Sequence, residues 1–239
     1  MSEEKKEESV INTEELKKDA STVVNEVKDN FKNVDMKKEG KAAKGFIKEL
    51  FKNPIDKIQD MVKENNGKYF KYALIILAIW TVVDLILAIY SQRGVFFKIF
   101  TGFSNLLGFS TSIGSAILSI FLALITPTVA VLIMTLIAFL FNKQNKKSFL
   151  TVLSGVTIAK IPVVAAEVIS LLSMIGPFAI KITSPVKIFA GIISTVLMYF
   201  TLKNVFGNKK DSEFFYKFLI VEAIYYAVYI ILSLIGIYI

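Results

Sequence analysis

Four charged residues stand inside long apolar runs of this sequence, and they are its strongest candidates for chemistry. The segment TVLSGVTIAKIPVVAAEVISLLS (151–173) carries Lys160 and Glu167, while Asp84 and Glu222 interrupt two other apolar runs. A charge at the centre of a bilayer costs about 2.5–3.5 kcal/mol on insertion scales. We therefore expect Lys160, Asp84 and Glu222 to face the interior of a helical bundle.

The spacing of these charges favours some pairings over others. At 1.5 Å per residue, Lys160 lies about 16 Å from the inner end of its helix, between the levels of Asp84 and Glu222. Glu167 shares a helix face with Lys160, but about 10 Å of helix axis separates their backbones. A bridge from Lys160 to Asp84 or Glu222 is therefore favoured. Two roles stay open, a structural polar cluster that fixes helix register and a lining for an ion or substrate path.

The composition argues against an enzyme. The 239 residues include no cysteine and no histidine, which removes thiol nucleophiles, zinc sites built on Cys or His, and Ser-His-Asp catalysis. The glycine-rich stretch GFSNLLG lacks the strand and the Lys-Ser/Thr ending of a phosphate-binding loop. We expect no catalytic residue, no cofactor and no metal ion.

The elements that position the charges are predicted to be membrane helices. Hydrophobic residues make up 54% of the chain, phenylalanine occurs 20 times, and the mean hydropathy is +0.57. Spans need about 20 apolar residues each. The predicted spans are residues 70–90, 116–141, 149–175, 186–205 and 214–239. Pro127 and Pro162 are candidate kinks within them, and residues 93–115 are expected to be interfacial or re-entrant.

Basic residues predict the orientation of these spans. With the N-terminus inside, the inner loops carry 11 lysines, whereas the outer loops carry 4 basic residues. This bias predicts a cytoplasmic N-terminus and a C-terminus outside the cell membrane. The fold class is thus an all-α integral membrane protein, with a five-helix transmembrane bundle behind a charged amphipathic cytoplasmic leader.

The leader divides into two parts ahead of the membrane domain 69–239. Residues 1–40 form a charged tail, partly disordered or amphipathic-helical, with apolar positions at helical spacing over 16–34. Residues 41–68 are predicted to form two amphipathic juxtamembrane helices interrupted at Asn53-Pro54. Their first apolar stripe consists of Phe46, Ile47, Leu50 and Phe51.

That apolar stripe has two possible environments. It can lie in the lipid headgroup region, because lysines flank it, or pack on the cytoplasmic ends of the membrane helices. The expected partners are the bilayer and proteins recruited by the leader. Nucleic acid is not expected, because acidic residues interrupt the basic block and arginine is absent from it.

The sequence KKSFLTVLSGVTIAKIP (146–162) and the layout of five closely spaced helices carry a family resemblance. They resemble bacterial members of the Yip family, whose name refers to proteins that interact with Ypt/Rab GTPases. The resemblance covers roughly residues 45–239 and implies a five-pass bundle that organises membranes or recruits partners. The DLYGP-type motif of eukaryotic members and the zinc ribbon of many bacterial relatives are absent. No Rab-binding, catalytic or ligand residue is therefore implied, and a small transporter or channel component is the competing interpretation.

Overall fold

The computed structural model describes residues 21–22, 24–25, 28, 36–65, 67–92, 110–142, 145–207 and 211–238. Within these ranges every regular element is a helix. The helical face predicted over 16–34 falls almost wholly outside them, as do residues 93–109 of the segment predicted to be interfacial or re-entrant.

Eight α-helices are defined in this described part of the chain. In order they are α1 (Met36–Lys52), α2 (Pro54–Glu64), α3 (Phe70–Ser91), α4 (Ser110–Phe141), α5 (Phe149–Ala159), α6 (Ile161–Ser170), α7 (Pro177–Phe206) and α8 (Asp211–Tyr238). A 3₁₀ turn, Leu171–Met174, follows α6. We call the end of the bundle that carries α1 and α2 the proximal end, and the opposite end the distal end.

Three helices in the described ranges are long and apolar enough to cross a membrane. They comprise α3, residues Ala116–Phe141 of α4 and residues Lys181–Phe206 of α7. A fourth crossing exists if α5 and α6 with the 3₁₀ turn, which bend by 43° at their break, count as one span. These segments overlap the first four predicted spans, whereas the fifth, at α8, stays a prediction.

Helix α5 occupies the centre of the bundle. It packs against α2, α3, α4 and α7, and all residues from Leu150 to Ala159 are buried. The hydroxyl groups of its small polar residues find hydrogen-bond acceptors within the helix. Ser154 donates to the Leu150 carbonyl at 2.6 Å, and Thr157 donates to the Leu153 carbonyl at 2.8 Å. Small side chains allow the backbones of neighbouring helices to approach closely. The VLSGVTIA sequence thus suits a helix surrounded by others on all sides.

Polar contacts tie the proximal helix ends together. The Ser148 hydroxyl caps α5 by accepting from the Thr151 amide at 3.2 Å. The Ser148 amide in turn donates to Asn65 Oδ1 at 2.7 Å, which joins the end of α2 to the start of α5. Asn145 Nδ2 donates to the Asn204 carbonyl in the last turn of α7 at 3.0 Å. These contacts satisfy backbone groups that helix termini leave unpaired.

The juxtamembrane helices fold back onto the bundle. The Lys57 ammonium pairs with the Glu49 carboxylate at 2.5 Å and so joins α2 to α1. The hydrogen bond from Lys57 and its positive charge hold the pKa of Glu49 below its ordinary value. Helix α2 packs on α5 and α7 through buried Ile58, Met61 and Val62.

The apolar stripe on α1 has, for most of its residues, the second of its two predicted environments, packing against protein. Phe46 and Leu50 are buried in the protein core, and Ile47 packs against that core. Only Phe51 is largely exposed, at 64%. A place at the membrane surface therefore does not fit Phe46, Ile47 and Leu50, because protein covers their apolar side chains.

Candidate functional site: a polar cavity around Lys160

Lys160 lies at the break between α5 and α6. Pro162 occupies the first turn of α6, where a missing amide hydrogen is tolerated, and the two helices meet at 43°. The Lys160 amide donates to the Thr157 carbonyl at 3.0 Å, so the backbone closes with a tighter turn. The side chain is only 2% exposed. Pro127, the other candidate kink, lies inside the unbroken helix α4.

The Lys160 ammonium contacts an aromatic ring rather than a carboxylate. Its Nζ lies 3.9 Å from the centroid of the Tyr225 ring on α8, a cation–π geometry. Among the described residues, no acid lies within ion-pairing distance of it. The favoured bridges to Asp84 and Glu222 are therefore not formed.

Glu222 lies one turn before Tyr225 on α8 and is also buried, at 6% exposure. Its charge acts on Lys160 through space, without direct contact. Within the described part of the chain, neither of its carboxylate oxygens has a hydrogen-bond partner. Lys160 and Glu222 thus interact electrostatically over a distance, and among the described residues neither side chain forms an ion pair.

A second group of charges lies toward the distal end. Glu167 on α6 pairs with Lys187 on α7 at 2.7 Å. Asp84 on α3 lies within electrostatic reach of both, with the Trp80 indole one turn earlier beside it. The four candidate charges therefore fall at two levels, with Lys160 and Glu222 at one and Asp84 and Glu167 at the other. Lys187 is one of the four basic residues that the sequence assigned to the outer loops, and it lies inside α7.

A cavity of ≈ 180 Å³ connects the two levels. It lies between α3, α6, α7 and α8, and Lys160, Glu167 and Lys187 all contribute to its wall. Ser194 also lines it, and the Ser194 hydroxyl is buried without a hydrogen-bond partner among the described residues. The chamber therefore combines a buried cation, an unpaired hydroxyl and aromatic faces.

Sequence reasoning missed the residues that complete this cavity. Tyr225 and Ser194 are ordinary in type for a membrane helix, although Tyr225 follows Glu222 at the i+3 spacing that places both on one face. Gly155 was missed as well. A Cβ there would lie 2.8 Å from Thr201 Cγ2, so glycine allows α5 to approach α7.

The polar groups of the cavity are of types that can bind a ligand. No group of three or more His, Cys, Asp or Glu residues that could hold a metal ion occurs in the described ranges. The ammonium and hydroxyl groups can hold an anion or a hydrogen-bond acceptor. Buried ionisable groups of this kind mark functional sites or structural clusters in membrane proteins.

Helices of membrane-spanning length, a broken central helix and buried charges define a helical integral membrane protein. A family model, the Yip1 domain, matches residues 48–237. The chain belongs to the Yip1 domain family, and the resemblance drawn from its sequence is confirmed. The match starts within α1 and includes α2 to α7 and nearly all of α8. No curated protein and no solved structure matches this chain.

Proposed function

We propose that this Yip1-domain protein is a non-enzymatic, multi-pass module of the cell membrane that organises membranes or recruits protein partners. The supporting observation is the burial of α5 on every side, with α2 covering it at the proximal end. Close packing around α5 leaves the polar cavity without a proximal opening along this central helix. A binding or scaffolding role therefore fits the interior better than a conducting path.

The proposed topology places the proximal end in the cytoplasm. Helix α8 supplies the fifth span, and the C-terminus lies outside. The leader and α1 then face the cytosol, where partners or anionic lipid are available. Positive charge near a membrane helix favours the cytoplasmic leaflet.

The exposed side of α1 is the proposed contact surface. Lys44, Lys48 and Lys52 recur at four-residue spacing and are exposed. Phe51 lies beside them, whereas the neighbouring Leu50 is 3% exposed. An aromatic side chain surrounded by cations suits a partner with an acidic rim and an apolar centre.

Adjacent positions 50 and 51 give a matched test of that surface. A photoreactive phenylalanine analogue at Phe51, in the full chain in its native membrane, should form crosslinks to a defined set of proteins. The same analogue at Leu50 should form only crosslinks within the chain. Replacing Lys44, Lys48 and Lys52 by Glu should remove the Phe51 products. Indistinguishable products at the two positions would contradict the proposed recruitment surface.

The second candidate function is a small transporter or channel component. The cavity that joins Lys160 to the Glu167–Lys187 pair favours it. Because the chain lacks cysteine, a single Val156→Cys substitution on α5 tests for a water path. An impermeant thiol reagent should leave it unlabelled from the cytosolic side, while an exposed Lys48→Cys control reacts fully. Rapid labelling of Val156→Cys in the folded protein would favour transport.

A further inference from the structure

The polar cavity continues into an apolar groove on the membrane-facing side of the bundle. This groove of ≈ 430 Å³ runs between α7 and α8. Lys187, Gly191 and Tyr226 line both the cavity and the groove. Below this junction the groove wall is formed by Ile188, Ile192, Thr195 and Val196, and its apolar members are exposed.

The groove follows the direction of an acyl chain in a bilayer. At 1.5 Å per residue, Lys187 lies about 28 Å from the proximal end of α7 and Val196 about 15 Å. The hydrocarbon core is about 30 Å thick. The groove therefore lies in the distal half of the hydrocarbon core. Ser194, about 18 Å from the same end of α7, lies beside the deeper part of the groove, so a phosphate bound there is drawn below the distal headgroup level.

At the inner end of the cavity, no acidic side chain of the described residues pairs with Lys160. Lys187 is already paired with Glu167, whereas the Lys160 ammonium, among the residues that the structure describes, lies against the Tyr225 ring and pairs with no acid. The nearby Ser194 hydroxyl is 1% exposed and, in the described ranges, has no hydrogen-bond partner. Glu222, which acts on Lys160 electrostatically, does not line the cavity. A phosphate group there would supply both the missing counter-charge and a hydrogen-bond acceptor.

We propose that this site binds one anionic phospholipid, with its headgroup phosphate in the cavity at Lys160 and Ser194 and one acyl chain in the groove along α7. The small chamber selects a headgroup of little more than a phosphate. Phosphatidic acid is accordingly the probe, and phosphatidylcholine, which carries no net charge, is the matched non-ligand. The site does not depend on partner recruitment through α1, so either proposal can fail alone.

The only tryptophan of the chain reports on this site directly. Trp80 lines the cavity and is buried. Phosphatidic acid, titrated into the full protein in phosphatidylcholine nanodiscs, should change the Trp80 fluorescence saturably. Added phosphatidylcholine should not change it. An equal response to both lipids would overturn the proposal.

Three substitutions separate binding in the cavity from general attraction to lipid. Lys160→Met should raise the half-saturating lipid fraction about tenfold or more, and Ser194→Ala several-fold, as loss of a charged contact and a hydrogen bond implies. Gly191→Leu should abolish the response by filling the junction, because a Cβ there meets nothing within 4 Å. Gly114→Leu, which adds the same side chain on α4, should leave the titration unchanged.

Two outcomes would defeat the lipid assignment. Saturation by inorganic phosphate alone would mean that the cavity takes a free anion. An unchanged titration in folded Gly191→Leu protein would mean that the groove holds no acyl chain. Because Gly191→Leu retains every charge, the second result is decisive even if Lys160→Met fails to fold.

Discussion

Gly155 on α5 lies against side chains of both α2 and α7. A Cβ at this position would lie 2.8 Å from Thr201 Cγ2 and 3.6 Å from Val62 Cγ2. Thr201 has little room to move, because its hydroxyl donates to the Leu197 carbonyl at 2.9 Å and the residue is fully buried. The absence of a side chain at Gly155 therefore leaves the room in which Thr201 packs against α5.

Gly155→Ala should lower the free energy of unfolding by about 1–3 kcal/mol, the usual cost of overpacking a tight core. The measurement is denaturation in mild detergent, followed by helical circular dichroism. Gly45→Ala on α1 is the control, because nothing lies within 4 Å of a Cβ there. Alanine should stabilise that exposed helix by up to about 1 kcal/mol. Equal shifts of the same sign in both variants would show that α5 and α7 are not closely packed.

At the scale of elements, the bundle depends on how α2 is attached to α5. Asn65 ends α2 with a left-handed backbone, φ 45°, and its side chain accepts the Ser148 amide at 2.7 Å. Ser148 in turn caps α5. A single asparagine thus serves two helices, since asparagine adopts the left-handed conformation more readily than most residues.

Two substitutions at Asn65 separate these roles. Asn65→Gly keeps the backbone conformation and removes the side-chain bond, so it should destabilise the protein by about 1 kcal/mol. Asn65→Ala should cost about 1–2 kcal/mol more, because alanine is strained in the left-handed region. Unfolding curves give these differences, and faster hydrogen exchange at the Ser148 amide should accompany both. Unaltered exchange in Asn65→Gly would contradict the link between the helices.

At the scale of the whole molecule, contacts at the proximal and distal ends of the bundle show which way its helices run. Asn145 and Gly207 bring the end of α7 to the proximal side, where a Cβ on Gly207 would collide with the Asn145 side chain. At the distal side, the Tyr90 hydroxyl donates to the Met174 carbonyl at 2.7 Å and joins the end of α3 to the 3₁₀ turn. Helices α3, α5 and α6 therefore run antiparallel to α7.

This arrangement predicts which surfaces an impermeant reagent reaches. A single cysteine at Tyr238, the last residue of α8, should react from outside intact cells. A cysteine replacing Lys52 on α1 should react only after the cells are permeabilised. The physical basis is the excess of lysine at the proximal end. Labelling of Tyr238→Cys only after permeabilisation would contradict both the predicted fifth span and the proposed topology.

The sequence led to some features of the site and not to others. It singled out Lys160 because a lysine within a long apolar run demands an explanation, and it placed a kink nearby because Pro162 cannot donate an amide hydrogen. It did not anticipate Tyr225 as the partner, nor Lys187 as the partner of Glu167. Those pairings depend on how helices far apart in the chain are rotated about their axes.

The amphipathic stripe on α1 shows the same limit. Its apolar spacing predicted a helix with one buried face, and the described helix has that face. The spacing alone did not distinguish lipid from protein as the covering surface, since both bury apolar side chains.

What the sequence determined by itself was the membrane class, the positions of three helices of membrane-spanning length and the family. Each of these follows from local properties, namely apolar run length against bilayer thickness and the residues of a continuous motif. Only the tertiary structure decided that Lys160 lies against an aromatic ring, that Ser194 and Gly191 complete a cavity, and that α2 covers the central helix. Those features are contacts between segments distant in the chain, and their geometry exists only once the helices have packed.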